Sequence, residues 1–150
     1  MAALVIAPLC PAQQAQWQML AQGFKDFYRS PTSAEEFNTA WQRLLMQDGV
    51  HGLGASIDGQ LVGIAHYLFH TSTWAPTMCY LQDLFTAPAA RGKGVARALI
   101  DAVAAQAQLR GASRYYWLTQ EHNAAARSLY DKVAVNRGFL RYDYPLPPRG

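Results

Sequence analysis

The chain has 150 residues, of which 51% are hydrophobic and 15% charged, a composition suited to one globular domain with its own core. The net charge is +3, but the basic residues form no run of five or more, so we expect a small anionic ligand and no nucleic-acid partner. Cys10 and Cys79 follow no zinc-ligand pattern, and no apolar run approaches the roughly 20 residues that span a bilayer. These features predict a soluble, cytoplasmic protein that binds neither a metal nor a membrane.

The first half of the chain predicts a strand, two helices and a hairpin. The run "ALVIAPL" lacks the basic region of a signal peptide and reads as a first strand. Pro11 then opens a helix that extends to about Tyr28, and Ser33 with Glu36 forms the capping-box signature of a second helix. The apolar period next becomes two, in "GVHGLGASI" and "QLVGIAHYLFH", which flank an Asp-Gly pair typical of a hairpin turn.

The second half alternates strands with helices. "MCYLQDLFTA" predicts a strand that ends at Pro88, and the next helix runs from Val95 to Gly111. "SRYYWLT" predicts another strand, "NAAARSLYDKVAV" a helix capped by Asn123, and "GFLRYDYPL" a closing strand. This order of elements predicts one mixed α/β domain over residues 1–150.

The loop "AARGKGVARAL" joins a strand to a helix, so its backbone amides become the unpaired donors at a helix N-terminus. Gly92 and Gly94 permit positive φ and the close approach of an anion. Arg91, Lys93 and Arg97 add positive charge. The pattern is neither a Walker loop nor a dinucleotide fingerprint, and by itself it indicates either a phosphate-binding loop or a tight turn with solvated charges.

Two motifs resemble signatures of the GCN5-related N-acetyltransferase (GNAT) superfamily. Arg91, Gly94 and Ala96 fill its acetyl-CoA-binding pattern Arg/Gln-x-x-Gly-x-Gly/Ala. The stretch "NAAARSLY", from Asn123 to Tyr130, is similar to its pattern Asn-x-x-Ala-x-x-x-Tyr. "DFY", "HTSTW", "YLQDLF" and "YYWLT" resemble the small branch of histone, polyamine and D-amino-acid acetyltransferases. The resemblance implies a mostly antiparallel twisted sheet that is splayed at the CoA site and flanked by about four helices.

The resemblance also implies that acetyl-CoA is the co-substrate. The backbone of Phe85 and Thr86 would pair with the pantetheine arm, as an added strand does at a sheet edge. Amides in residues 92–97 would bind the pyrophosphate, and Asn123 would contact the pantetheine. The residues that the resemblance implies in cofactor binding are Leu84, Phe85, Thr86, Arg91, Gly92, Lys93, Gly94, Val95, Ala96, Arg97, Asn123 and Arg127.

The resemblance implies acetyl transfer to a primary amine. We expect direct attack of the amine on the thioester in a ternary complex, because neither cysteine has a nearby base in the sequence for a covalent acyl intermediate. The acceptor is a small amine, a polyamine, an amino acid or the lysine side chain of a peptide. Tyr130 would protonate the departing thiolate, since a phenol is almost fully protonated at neutral pH. A catalytically silent CoA-binding sensor is the alternative. The residues expected to bind the acceptor are Gln82, Trp74, Tyr116, Trp117 and Leu118.

The amine must lose a proton before it attacks, so a base is needed. Gln82 stands where polyamine acetyltransferases of the resembling branch carry Glu, and an amide cannot accept the proton. Asp83 is the nearest carboxylate, and strand alternation predicts that it lies on the opposite face from Gln82. Asp83, Glu121 and a chain of water molecules all remain open as the base. His66 and His70 have no carboxylate or Cys at metal-ligand spacing, so we expect both to pack against neighbours or line a pocket.

The end of the chain departs from the resembling pattern. "LYDKVAVNRGF" reaches Gly138 only after extra residues, which predicts a longer helix or an added loop. The predicted closing strand carries bulky residues at Leu140, Tyr142 and Tyr144. An edge strand of this kind would suit a homodimer.

Overall fold

A computed structural model gives the structure of the protein and describes residues 3–149. Contacts divide the chain into two compact units, Met1–Leu118 and Thr119–Gly150. The first unit holds the whole sheet and three α-helices, and the second holds the fourth helix. The elements before the hairpin are β1 (Leu4–Pro8), a short 3-10 turn (Pro11–Gln13), α1 (Gln14–Phe27) and α2 (Ala34–Met46).

The predicted start of α2 is confirmed in atomic detail. The Ser33 hydroxyl accepts a hydrogen bond from the backbone N–H of Glu36 at 3.1 Å, and the Glu36 carboxylate accepts one from the N–H of Ser33 at 3.2 Å. Two amide groups that the helix itself leaves unpaired are thus satisfied reciprocally. The predicted helix from Pro11 to Tyr28 is also present, as the 3-10 turn followed by α1.

The sheet contains five strands in the order β1-β2-β3-β4-β5. The first three neighbouring pairs are antiparallel, and β4 and β5 are parallel. Asp58 and Gly59 both have positive φ, 52° and 76°, as the predicted two-residue hairpin turn requires. The remaining strands are β2 (His51–Ile57), β3 (Gln60–His70), β4 (Met78–Thr86) and β5 (Tyr115–Tyr116), so the strand predicted in "SRYYWLT" is only two residues long.

Strand β4 has two irregularities. Its pairing with β3 shifts from His66–Asp83 to Tyr67–Leu81, so Gln82 is an extra residue opposite that step, a β-bulge. On its other side, β4 pairs with β5 only at Cys79 and Tyr80. The backbone of residues 81–86 has no neighbouring strand on that side within residues 3–149, and we call it the free edge of β4.

The two faces of the sheet are covered by different helices. Trp17 of α1 and Trp41 of α2 form one core cluster with Ile64 of β3, each at most 2% exposed. The adjacent residue, Gly63, lies against Val95 of α3 (Val95–Leu109) on the opposite face, as alternation along a strand requires. The predicted helical stripe of Val95, Leu99 and Val103 is confirmed, because each of these side chains is buried.

The second unit contains α4 (Ala124–Val133), whose predicted cap is confirmed: the Asn123 side chain accepts a hydrogen bond from the N–H of Ala126 at 3.4 Å. The helix ends at Val133, so the extra residues before Gly138 form a loop. The closing strand predicted in "GFLRYDYPL" is wrong, because residues 134–149 form neither helix nor strand. Alternating bulky residues favour a strand only where another strand offers its backbone, and none is paired with this segment in the part of the chain described.

The packing of α3 on Gly63 leads to a stability prediction. A Cβ atom at this position would lie 2.6 Å from Cγ1 of Val95, so Gly63→Ala forces the helix away from the sheet. We expect it to lower the free energy of unfolding by about 1–3 kcal/mol, measured by denaturant titration. Val95→Ala removes the clashing methyl group, so the double variant should lose less than the sum of the two single variants. Additive losses would mean that the contact does not limit the approach of α3.

Candidate functional site

The glycine-rich loop, residues 87–94, connects β4 to α3. Gly92 and Gly94 have φ values of 80° and 78°, the left-handed conformation that only glycine adopts freely. Gly94 caps α3 without a side chain, so no capping group accepts from the first-turn amides. No atom lies within 4 Å of where a Cβ would stand at either glycine. The loop therefore presents helix N-terminal donors to open space, as an anion-binding site requires.

Two of the predicted cations, Arg91 in the loop and Arg97 in the first turn of α3, have partners inside the first unit. The Arg91 guanidinium lies 5.7 Å from the centre of the Phe85 ring, a cation–π distance. Nε of Arg97 is 3.5 Å from Oδ2 of Asp101, one helical turn further along α3, and both side chains are more than half exposed. An exposed pair of this kind is weak, so Arg97 is available to an anion at the loop.

The residues next to the loop form the end of β4, where one side of the strand is unpaired among the described residues. The free edge of β4, which includes Leu84, Phe85 and Thr86, has the geometry that an added strand-like ligand uses for backbone hydrogen bonds. The buried Thr86 hydroxyl has no hydrogen-bond partner in the part of the chain described, an unusual state for a buried polar atom. A ligand arm that carries amide groups would match the free edge of β4.

A hydrogen-bonded chain links α1, β3 and β4, and we call Trp17, His66 and Asp83 the Asp83 network. The Trp17 indole N–H donates to Nε2 of His66 at 2.9 Å. Nδ1 of His66 lies 2.9 Å from Oδ2 of Asp83. The side chain of His66 is 12% exposed and that of Asp83 is 25% exposed, so the carboxylate is the member nearest to solvent.

Tyr28 belongs to the surroundings of Asp83. Burial, and after it the negative charge of Asp83, raises the pKa of the Tyr28 phenol. Tyr28 therefore stays a neutral hydrogen-bonding group at physiological pH, and its phenol interacts electrostatically with the Asp83 carboxylate. The sequence stretch "DFY" is thereby connected to the predicted catalytic position through α1.

A second aromatic and histidine cluster lies where β4 and β5 separate. Nδ1 of His70 lies 3.1 Å from the Thr71 carbonyl, which only accepts, so this nitrogen carries the proton. Nε2 then accepts from the Tyr116 hydroxyl at 2.8 Å. The Tyr116 ring stacks on Tyr80 at 5.0 Å, and burial is the main cause that raises its pKa. Tyr116 is thus fixed as a neutral donor at the point where the strands diverge.

The other residues expected to bind the acceptor are more dispersed. Gln82 is the exposed extra residue of the bulge. The regular alternation of side chains between the two faces of the sheet, on which the prediction for Gln82 and Asp83 relied, is therefore interrupted at Gln82. Trp117 packs on Tyr115 with ring centres 5.3 Å apart. Leu118 is 48% exposed, and Trp74, in the loop between β3 and β4, is 91% exposed. The structure therefore brings Asp83 and Tyr116 into hydrogen-bonded clusters and leaves Trp74 in solvent.

An apolar cleft of about 510 Å³ lies between α1 and the end of β4. Helix α1 approaches β4 closely here, since a Cβ on Gly23 would be 2.9 Å from Cζ of Phe85. Asp26 and Arg91 are its charged members, of opposite sign. The lining residues are Met19, Leu20, Gly23, Asp26, Phe27, Phe85, Ala87, Pro88 and Arg91.

The predicted residues of the second unit lie on or beside α4. Besides capping the helix, Asn123 donates to the Thr119 hydroxyl at 3.4 Å. The Arg127 guanidinium donates to the Glu121 carbonyl at 2.9 Å, so part of its charge is used within this unit. Tyr130 follows Asn123 by seven residues on the helix, which aligns the two along one face. The roles expected of these residues toward acetyl-CoA stay predictions.

Neither a metal cluster nor a membrane-spanning helix is found in residues 3–149. No three His, Cys, Asp or Glu side chains come together as metal ligands would. No helix is long and apolar enough to cross a bilayer. Burial raises the pKa of the Cys79 thiol to about 11, which makes it a poor nucleophile at neutral pH, whereas Cys10 is exposed.

The sequence matches known acetyltransferases along most of its length. The model of the acetyltransferase (GNAT) family matches residues 17–134. A D-amino-acid N-acetyltransferase of Saccharomyces cerevisiae is 31% identical over 145 residues, covering 93% of this chain and 89% of that protein. A thialysine N-epsilon-acetyltransferase of Caenorhabditis elegans is 26% identical over 128 residues, covering 85% of this chain and 80% of that protein.

Solved structures have the same fold. A ribosomal-protein-alanine N-acetyltransferase from Brucella melitensis matches with a TM-score of 0.82 at 23% identity, covering 96% of this chain and 100% of that one. An aminoglycoside N-acetyltransferase in complex with CoA matches with a TM-score of 0.79 at 18% identity, covering 100% and 96% of the two chains. At these identities the likeness establishes the architecture alone.

Proposed function

Because the chain belongs to the GNAT family of acetyltransferases, we propose that it transfers the acetyl group of acetyl-CoA to a primary amine. The observation that carries the proposal is the glycine-rich loop at the N-terminus of α3, directly after the free edge of β4. Together these features suit a ligand with a diphosphate at one end and a strand-like arm at the other. The named relatives act on D-amino acids and on thialysine, which favours an amino acid or a similar small amine as the acceptor.

Each end of acetyl-CoA has its own residues in this proposal. The amides of residues 92–97 bind the pyrophosphate, with Arg91, Lys93 and Arg97 supplying charge. Leu84, Phe85 and Thr86 bind the pantetheine arm through the free edge of β4. Asn123 and Arg127 are proposed to contact acetyl-CoA, as the resemblance of "NAAARSLY" to the family's second signature implies. Acetyl-CoA supplies the thioester carbonyl that the amine attacks.

The chemistry needs one group that accepts a proton and one that donates a proton. The protonated amine loses one proton to Asp83, to Glu121 or to water; the C–N bond then forms and the C–S bond breaks, and the nitrogen gives up a second proton, which balances the one transferred to the thiolate. Tyr130 is proposed to protonate the departing thiolate. Of the two carboxylates, Asp83 is the better supported, because it is partly buried in a defined hydrogen-bond network, which suits a group that must hold one orientation.

Binding of acetyl-CoA is tested first at the glycine-rich loop. Gly94→Val adds a side chain beside the proposed path of the pyrophosphate, so we expect it to abolish the rise in Tm that acetyl-CoA and CoA give the wild-type protein and that ATP does not. Gly111→Val is the matched control, because Gly111 also has positive φ and open space but lies beyond the opposite end of α3. An equal response of the two variants to acetyl-CoA would reject the loop as the binding site.

Turnover is tested with a panel of D-amino acids, lysine analogues and polyamines. Because Cys10 is exposed, CoA release is best followed by mass spectrometry, since thiol reagents would also modify this cysteine. We expect Tyr130→Phe to lower kcat by about 100-fold, in the range of general acid catalysis, with the acetyl-CoA-induced rise in Tm unchanged. Tyr142→Phe is the control, because it removes the same hydroxyl group from a tyrosine that is not among the proposed catalytic and binding residues. CoA binding without product from any amine would identify a silent CoA-binding protein.

We also propose a homodimer formed through the C-terminal segment, residues 134–149. This segment exposes Phe139, Leu140, Tyr142 and Tyr144, each by 74–89%, which is unusual for consecutive bulky residues on a monomer. We expect sedimentation to give the mass of two chains, and the double substitution of Leu140 and Tyr142 by Asp to give the mass of one. Met46→Asp alters a residue of the first unit that is 72% exposed, close to the value for Leu140, and should leave the dimer intact. A monomeric wild-type protein would contradict the proposal.

A further inference from the structure

The Asp83 network fixes the tautomer of His66. An indole N–H only donates, so Nε2 of His66 must accept the hydrogen bond from Trp17 and carries no proton. The ring proton therefore lies on Nδ1, which donates to Oδ2 of Asp83. Trp17 is 2% exposed and packs against Phe37 and Trp41, so its indole has no freedom to turn away.

The network also fixes the orientation of the Asp83 carboxylate. Oδ2 is held by His66 at 2.9 Å, whereas Oδ1 has no partner among the hydrogen bonds and ion pairs of residues 3–149. His66 and Asp83 are opposite each other across β3 and β4, immediately beside the bulge at Gln82. One carboxylate oxygen is thus held by the protein, and the other is available next to the free edge of β4.

We propose that His66 is a positioning residue for the acceptor amine. It holds Asp83 so that Oδ1 receives an N–H of the amine beside the free edge of β4, and Trp17 maintains the tautomer that makes this possible. The inference rests on the proposed function, since it assumes that an amine is acetylated at this edge. It adds a specific requirement: the donor at Nδ1 of His66 is needed for the amine and not for acetyl-CoA.

Two substitutions separate the two nitrogens of the ring. The side-chain amide of Asn reaches approximately to the position of Nδ1 and keeps a donor for Asp83, whereas that of Gln reaches to the position of Nε2 and keeps an acceptor for Trp17. We expect His66→Asn to retain kcat/KM for the amine within about threefold, and His66→Gln to lose at least about tenfold, the effect of one hydrogen bond to a charged group. The KM for acetyl-CoA and the acetyl-CoA-induced rise in Tm should be unchanged in both.

A double-variant cycle distinguishes positioning from simple packing. If His66 acts through Asp83, His66→Gln causes no further loss of kcat/KM once Asp83→Asn is present. Equal losses in the Asn and Gln variants, or a full additional loss in the Asp83→Asn background, would overturn the inference. Wild-type protein that acetylates no amine would instead overturn the proposed function, and the inference with it.

A measurement on the wild-type protein keeps the inference testable if a variant does not fold. Nitrogen-15 NMR of the histidine side chains distinguishes protonated from unprotonated ring nitrogens. The proposal requires His66 to carry its proton on Nδ1, with Nε2 unprotonated. A proton on Nε2 would exclude the bond from Trp17 and contradict the proposed arrangement.

Discussion

The pairing of β4 with its two neighbours is the constraint on which the rest of the site depends. On one side the strand carries an extra residue, Gln82, and on the other its partner β5 stops at Tyr116. A bulge bends a strand and increases its local twist, and the short β5 leaves the following backbone without a strand on that side. The backbone N–H and C=O groups of residues 81–86 that face away from β3 therefore lack a partner among the described strands, and this unpaired stretch ends where the glycine-rich loop begins.

The bulge also explains how one strand contributes to both the core and the site. Leu81, before the bulge, is opposite Tyr67, whereas Asp83, after it, is opposite His66. Leu81 is 2% exposed, and the Asp83 side chain is 25% exposed. Two residues that a regular pleat would direct to the same face instead have different surroundings, one in the apolar core and one in a polar network.

The parts of the fold predicted from the sequence are those governed by local rules. Capping by Ser33 and Asn123, the hairpin turn at Asp58 and the glycine-rich loop each depend on a few consecutive residues, and the structure contains all four. The Asp83 network was missed because it needs the register across β3 and β4 as well as the docking of α1. The prediction of a C-terminal strand was wrong. Alternating bulky and polar residues show only that a segment would suit a strand, whereas a sheet also requires a neighbouring strand to pair with it.

The position of the extra residue in β4 has an evolutionary consequence. Leu81 and Asp83 already lie on opposite faces of the sheet, because they pair with the successive residues Tyr67 and His66. If the codon for Gln82 were deleted, the two would become neighbours in a regular strand and would keep these faces, so the core contacts would survive. What would be lost is the bend, and a straight β4 could continue its parallel pairing with a lengthened β5. A single in-frame deletion could therefore yield a well-folded descendant in which a lengthened β5 occupies what is now the free edge of β4.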